Sequence, residues 1–97
     1  MSTYIMLVGW TQKGIENIKD SPDRLDAAKK AFEAAGAEIK AFYLVTGKYD
    51  MIVVAEAPDD ETIVKLALAV GSSGGIRSET LRAFKEDEYR EIIAALP

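Results

Sequence analysis

Tyr49 and Asp50 are the side chains whose types and spacing most directly indicate chemistry. They follow Gly47 and Lys48, between two runs rich in apolar residues. A phenol and a carboxylate beside a turn could line a pocket at a subunit interface and exchange hydrogen bonds with a small polar ligand. The structural interpretation is a hairpin in which Gly47 adopts a positive φ, the Tyr49 ring packs on a sheet and Asp50 accepts from turn amides. The residues predict the hairpin under either interpretation.

A second candidate site combines the glycine-rich stretch Gly71–Gly75 with Arg77. Backbone amides, that of Gly74 among them, could cradle an anion, and the Arg77 guanidinium could bind it through two hydrogen bonds. The stretch lacks the lysine of a phosphate-binding loop, and its glycines follow a predicted helix instead of opening one. A helix end that continues into a turn is therefore the simpler interpretation.

Glu79 and Trp10 complete the set of candidate groups. Glu79 alternates with Arg77 along a predicted strand, and an exposed pair of such charges stabilises by only about 0–1 kcal/mol. If that face is buried in a dimer, the Glu79 carboxylate would acquire a raised pKa and could act as a general base. Trp10, like Tyr4 and Tyr43, is predicted to anchor a core or an interface, and Trp10 is also a candidate ligand contact.

Metal and cofactor chemistry has few possible carriers in this sequence. The 97 residues include no cysteine and no histidine, which excludes thiolate sites and removes the commonest metal ligand and the best side chain for proton transfer near neutral pH. The carboxylates of Asp59, Asp60 and Glu61 stand at a predicted helix start, where they usually cap the helix, and no other oxygens converge on them. We predict neither a metal nor a cofactor.

Charge and hydropathy narrow the possible partners. The net charge is −4, with 12 basic residues scattered among 16 acidic ones, so no basic stripe is available to bind a phosphate backbone. The first apolar run, Tyr4–Val8, is far shorter than the roughly 20 residues of a membrane span, and no basic segment precedes it. We expect a cytoplasmic protein with no direct nucleic-acid or membrane partner.

Hydrophobic periodicity predicts four strands and three main helices. The strands are expected at 3–10, 39–46, 51–55 and 76–84, with a short irregular helix at 12–19. Ser21 is the predicted N-cap of a helix that ends at Gly36. A second helix starts near Asp59, and a terminal helix covers 87–96.

The order βαββαβ plus a C-terminal helix is the ferredoxin-like plan, an α+β fold with an antiparallel sheet. We expect one domain over residues 1–97. In this plan the first and third strands are central, and these are the two strands that are apolar throughout. Because the helices cover only one side of the sheet, a second copy is expected to cover the other, giving a dimeric α/β barrel.

The chain resembles the GYD-domain family, named for the residues that stand here as Gly47, Tyr49 and Asp50. Further similarities run along essentially the whole chain: Trp10 with Thr11 and Gly14, Ser21–Arg24, Tyr43, Glu56–Asp59, Gly71 and Thr80–Phe84. Gly75 departs from the pattern, which has asparagine there. The resemblance implies a dimeric barrel and cytoplasmic homo-oligomers, and it implies no established activity.

A more distant likeness is to the ligand-binding domain of Lrp/AsnC-type regulators, which also carry a Gly-x-Tyr-Asp turn. Those regulators place a helix-turn-helix ahead of that domain. This chain starts with its first strand, so a DNA-reading role would need a separate partner.

The leading hypothesis is a non-catalytic homo-oligomer that binds a small metabolite near a subunit interface. Its predicted ligand contacts are Gly47, Tyr49, Asp50, Trp10, Gly74 and Arg77. The alternative is a cofactor-free monooxygenase, isomerase or cyclase that holds an apolar substrate between sheet and helices, with acid–base work assigned to Tyr49, Asp50, Glu79 or Arg77. A purely structural or partner-binding oligomer is the third hypothesis.

Overall fold

The structure, a computed structural model, describes residues 1–97 and has four strands and four α-helices. The strands are β1 (Ser2–Trp10), β2 (Glu38–Leu44), β3 (Met51–Ala57) and β4 (Ile76–Ala83). The helices are α1 (Gln12–Glu16), α2 (Ser21–Ala34), α3 (Asp60–Gly71) and α4 (Glu86–Ala94), with a 3₁₀ turn at Ile18–Asp20. The order confirms the ferredoxin-like prediction, including the short helical connection and the terminal helix.

The strands form one antiparallel sheet in the order β2-β3-β1-β4. The two apolar strands, β1 and β3, therefore lie in the centre as predicted, with Met6 opposite Val53 and Leu7 opposite Ile52. Side chains alternate between the two faces of a strand, so each of these pairs belongs to one face. We call the face that carries Leu7 and Ile52 the open face, because the helices cover the other one.

The core lies between the sheet and helices α2 and α3. Its members are Tyr4, Met6, Val8, Phe32, Ala37, Met51, Val53, Ala55, Ala57, Ile63 and Leu66. On the open face, Ile52 and Val54 are only half-buried. No element of the chain covers the open face, as expected for a plan in which the helices lie on one side of the sheet. That a second copy covers this face stays a prediction.

A bulge in β2 corrects another part of the predicted pattern. Unbroken alternation would place Ile39, Ala41 and Tyr43 on one face. The register shifts between Ile39 and Ala41, so that Ile39 pairs with Ala55 on the helix side and Ala41 pairs with Val54 on the open face. The extra residue inverts the alternation from that point onward.

Helix ends agree with most of the predicted caps. Asp59 caps α3, because its carboxylate accepts a hydrogen bond from the Thr62 amide at 2.8 Å, and Gly36 follows α2 with φ of 78°. Ser21 is not the N-cap of α2. The 3₁₀ turn leads directly into the helix, so Asp20 holds the cap position and Ser21 is the first helical residue.

Helix α4 extends from the body of the molecule without a buried residue. Its apolar side chains are about half exposed or more: Tyr89, Ile92, Ile93 and the following Leu96. The molecule measures 52 × 31 × 18 Å, so it is elongated and thin. None of its helices combines the length and apolar content that a membrane crossing requires.

Candidate functional site

The predicted hairpin joins β2 to β3 and is tied to the end of β1. Gly47 adopts φ of 109°, a conformation that favours glycine. Asp50 links three strands through its backbone: its amide donates to the Val8 carbonyl at 2.9 Å, and its carbonyl accepts from the Val45 amide at 2.9 Å. The turn thus fixes the register of the hairpin against the central strand.

The Asp50 carboxylate extends this link to Trp10. One carboxylate oxygen, Oδ2, accepts a hydrogen bond from the Trp10 backbone amide at 3.0 Å. A β-carbon at Gly9 would lie 3.7 Å from Asp50 Oδ2 and 3.8 Å from Arg77 Nε, both ordinary van der Waals distances. The side chains of Asp50 and Arg77 therefore converge above Gly9 on the open face.

The Tyr49 side chain extends from the hairpin to β4. Its hydroxyl donates a hydrogen bond to Glu79 Oε2 at 2.5 Å. That hydrogen bond is the main reason that the Tyr49 pKa is raised, with smaller contributions from burial and from the negative charge of Glu79. The phenol is therefore a neutral hydrogen-bond donor at physiological pH.

These residues line a cleft of about 340 Å³, which we call the hairpin cleft. Its walls are Leu7, Gly9, Lys48, Tyr49, Asp50, Arg77, Ser78 and Glu79. The Arg77 guanidinium takes part in none of the ion pairs of the structure; Glu79 does not pair with it and instead accepts from Tyr49. The cleft thus offers cationic donors and carboxylate acceptors at once.

The hairpin cleft borders an apolar surface. Leu7 belongs both to its wall and to the open face, which continues along β1, β3 and the two edge strands. The apolar side chains of that face are Ile5, Leu7, Ala41, Tyr43, Ile52, Val54 and Leu81, and Tyr43 is 59% exposed. A partner that covers the face would also lie close to the cleft.

Three of the six predicted ligand contacts lie outside the cleft wall. The Trp10 side chain packs against the core on the helix side, and only its backbone amide contacts Asp50. Gly74 lies in the loop between α3 and β4, where its carbonyl accepts from Thr11 Oγ1 at 2.5 Å. Gly47 forms the turn but is not part of the wall. The structure brings together Tyr49, Asp50, Arg77 and Glu79.

The glycine-rich loop presents carbonyl groups to α1. Ser73 O accepts from Lys13 Nζ at 2.8 Å, and Gly75 O accepts from the Thr11 amide at 3.1 Å. A β-carbon at Gly14 would lie only 2.0 Å from Gly75 O, so glycine is required there for α1 to approach the loop. These contacts give the loop a structural role in seating α1.

The three carboxylates at the start of α3 have separate partners. Asp59 binds the amide and hydroxyl of Thr62, and these hydrogen bonds lower its pKa. Asp60 accepts from the Tyr4 hydroxyl, and burial together with that contact raises the Tyr4 pKa. Glu61 pairs with Lys65 one helical turn later.

Sequence reasoning missed Lys48, Leu7, Gly9 and Ser78 as parts of the cleft. Gly9 carried a usable signal, since a glycine inside a strand often marks a close approach of other groups. Lys48 is exposed on the hairpin, and nothing in the local sequence indicates which side it faces.

Fold and cleft together define an α+β protein of ferredoxin-like topology with a charged recess at its central hairpin. The GYD domain model matches residues 4–93, and the chain belongs to the GYD domain family. A Thermus thermophilus protein named glutamine synthetase and cystathionine beta-lyase binding protein is 33% identical over 84 residues, covering 86% of this chain and 88% of the relative.

Solved structures share the fold. A crystal structure of a protein from Thermus thermophilus matches with a TM-score of 0.56 and 25% identity, over 88% of this chain and 95% of that one. A feast or famine regulatory protein from M. tuberculosis, complexed with L-methionine, matches with a TM-score of 0.59 and 13% identity, over 90% of this chain and 54% of that one. The second likeness concerns the fold alone.

Proposed function

We propose that this protein is a non-catalytic homo-oligomeric module that binds a small metabolite carrying a carboxylate in the hairpin cleft. The observation that carries the proposal is the Arg77 guanidinium, which lies in the cleft wall and outside every ion pair of the chain. Guanidinium binds carboxylate through two parallel hydrogen bonds, which are stronger than neutral ones.

The remaining polar groups of the cleft favour a ligand that also carries donors. Glu79 and the second carboxylate oxygen of Asp50 can accept from an ammonium or hydroxyl group, and Lys48 adds a second positive charge. A volume of about 340 Å³ is at the lower end of the range for small-molecule sites. A free amino acid or a hydroxy acid has the corresponding size and charge pattern.

The open face supports the oligomeric part of the proposal. Its apolar residues are continuous with the cleft through Leu7, and a second copy packed there would bury them and narrow the entrance of the cleft. Burying the cleft would strengthen its charge–charge interactions, because water screens them less. Ligand binding and subunit association are therefore proposed to depend on each other.

The test combines native mass spectrometry of gently purified protein with titration of amino acids and hydroxy acids by calorimetry. We expect a retained or titrated carboxylate, and Arg77→Gln should weaken its binding by about ten-fold or more, since a charge-assisted contact is lost. Arg90→Gln is the matched control, because Arg90 pairs with Glu86 on α4, away from the cleft. Equal affinity in Arg77→Gln and wild-type protein would contradict the proposal.

Association with another enzyme is the second candidate function. The Thermus relative is named for binding glutamine synthetase and cystathionine beta-lyase, and α4 exposes an apolar stripe that includes Ile92 and Ile93. Calorimetry with these two purified enzymes tests this function. Binding that is lost in Ile92→Glu and kept in Arg77→Gln would support it, and absence of binding to both enzymes would count against it.

A further inference from the structure

A second cavity lies on the other side of the sheet, between β1, β3 and the helices α2 and α3. Its volume is about 90 Å³. Ala28 of α2 and Ala67 of α3 contribute to its walls, together with Phe32 and Phe42. Two small side chains at positions that could carry larger ones leave space inside a core that is otherwise close-packed. We call this space the helix-side cavity.

The helix-side cavity has the properties of a site for an apolar group. Sealed apolar voids in proteins accept small hydrocarbons, and one of about 150 Å³ holds benzene. A cavity of about 90 Å³ that opens toward solvent can therefore take one ring or a short branched chain, with part of the ligand outside. Such a ligand would restore the dispersion contacts that the empty space lacks.

The polar part of the wall consists of Arg24 and the serines Ser21, Ser73 and Ser78. Arg24 lies against the backbone before β4, because a β-carbon at Gly75 would be 3.3 Å from its Nη1 atom. Like Arg77, Arg24 belongs to none of the ion pairs. A guanidinium and nearby hydroxyls beside an apolar space match a molecule with an apolar body and one carboxylate.

We propose that the helix-side cavity is a second ligand site, which binds a small monocarboxylate with an aromatic ring or a branched aliphatic chain. The apolar part occupies the space between Ala28, Ala67 and Phe42, and the carboxylate contacts Arg24. No carboxylate lines this cavity, so an anionic ligand meets no like charge in its wall. It lies across the sheet from the hairpin cleft and is independent of the function proposed for that cleft.

The test is a titration of the full chain with benzoate and with its neutral counterpart benzyl alcohol, followed by NMR. Both probes should shift the resonances of Phe42 and Ala67, and benzoate should show NOEs to these residues. Arg24→Gln should weaken benzoate binding roughly three- to ten-fold, as expected for one exposed charge-assisted contact, and leave benzyl alcohol unchanged. Ala28→Leu should reduce binding of both probes by filling the space.

Arg90→Gln is the matched control and should change neither titration, because Arg90 pairs with Glu86 on α4. NOEs from benzoate to Phe42 and Ala67 separate this site from the hairpin cleft. If Ala28→Leu fails to fold, the NOEs and the Arg24→Gln titration still decide the outcome. Absence of benzoate binding at millimolar concentration would overturn the proposal. So would shifts confined to the open face, or equal benzoate affinity in Arg24→Gln and wild-type protein.

Discussion

Asp50 and Arg77 share the hairpin cleft but are held in different ways. Asp50 is bound through its amide and carbonyl, and one oxygen of its carboxylate accepts from Trp10. Arg77 approaches the same place above Gly9 and belongs to no ion pair. At this scale Asp50 is mainly a connector of strands, and Arg77 is the group that is available to a ligand.

The connector role of Asp50 leads to a prediction about stability. Asp50→Ala leaves the Trp10 amide without its acceptor, which should lower the free energy of unfolding by about 1–3 kcal/mol. Asp50→Asn keeps an acceptor oxygen and should recover more than half of that loss. Urea denaturation measures both variants, and ligand titration per folded molecule measures function. If both variants are as stable as wild type but lose the ligand, Asp50 is a ligand contact and not a connector.

The contact between Tyr49 and Glu79 could not be predicted from the sequence. The two residues are 30 positions apart, and they meet only because β4 pairs with β1 in the register that places Glu79 opposite Leu7. The position of the Trp10 side chain, in contrast, could have been inferred from the alternation of side chains along a strand. This residue lies an even number of residues from Tyr4, Met6 and Val8, so alternation puts it on the helix side.

At the scale of elements, periodicity was sufficient to predict the type and order of strands and helices. The contacts that hold an element against a distant part of the chain were not predictable. Helix α1 is held by Thr11 and Lys13 against the loop after α3, and the approach depends on Gly14, which carries no local sign of its distant partner Gly75. The β2 bulge was missed for a similar reason, since one extra residue leaves the hydrophobic pattern ambiguous.

The cap of α3 gives a prediction that depends on pH. Hydrogen bonds from Thr62 lower the Asp59 pKa in the folded protein, so this carboxylate stabilises the fold at pH values above its unfolded pKa of about 4. That contribution is lost as pH falls through the lower folded pKa, because protonation then costs the native state its charged acceptor. Asp59→Ala should therefore reduce Tm by a few degrees at pH 7.

The difference in Tm between Asp59→Ala and wild type should become smaller when Tm is measured by circular dichroism at progressively lower pH, from 5 down to 2. Asp59→Asn is the control, because asparagine is also a good N-cap but does not titrate. Its Tm should remain close to that of wild type at pH 7. A difference between Asp59→Ala and wild type that stays constant down to pH 2 would exclude the carboxylate charge as its cause.

At the scale of the whole molecule, the chain is thin and leaves much apolar surface uncovered. Only 14 of its 97 residues are buried, and a chain this short forms a marginal core by itself. Two parts of this uncovered surface are the open face and the stripe on α4. The open face is flanked by the hairpin cleft, so covering it has consequences for binding that covering α4 does not have.

Association through the open face should depend on Val54. Val54 lies at the centre of the open face, opposite Ile5, so Val54→Glu would place an unpaired charge inside a face-to-face dimer, where burial is costly. Light scattering at micromolar concentration should find wild-type protein as a dimer or larger, with Val54→Glu as a folded monomer. The apparent dissociation constant should rise by about 100-fold or more, equivalent to about 3 kcal/mol.

Val64→Glu is the matched control, because Val64 is 51% exposed on α3 and lies away from the sheet. This variant should associate like wild type. The monomeric Val54→Glu variant should also bind the proposed carboxylate ligand more weakly, although its cleft residues are unchanged, because Leu7 connects the cleft to the face that a second copy would cover. A well-folded wild-type monomer at micromolar concentration would refute the dimer, and undiminished ligand affinity in Val54→Glu would show that the cleft is complete in one chain.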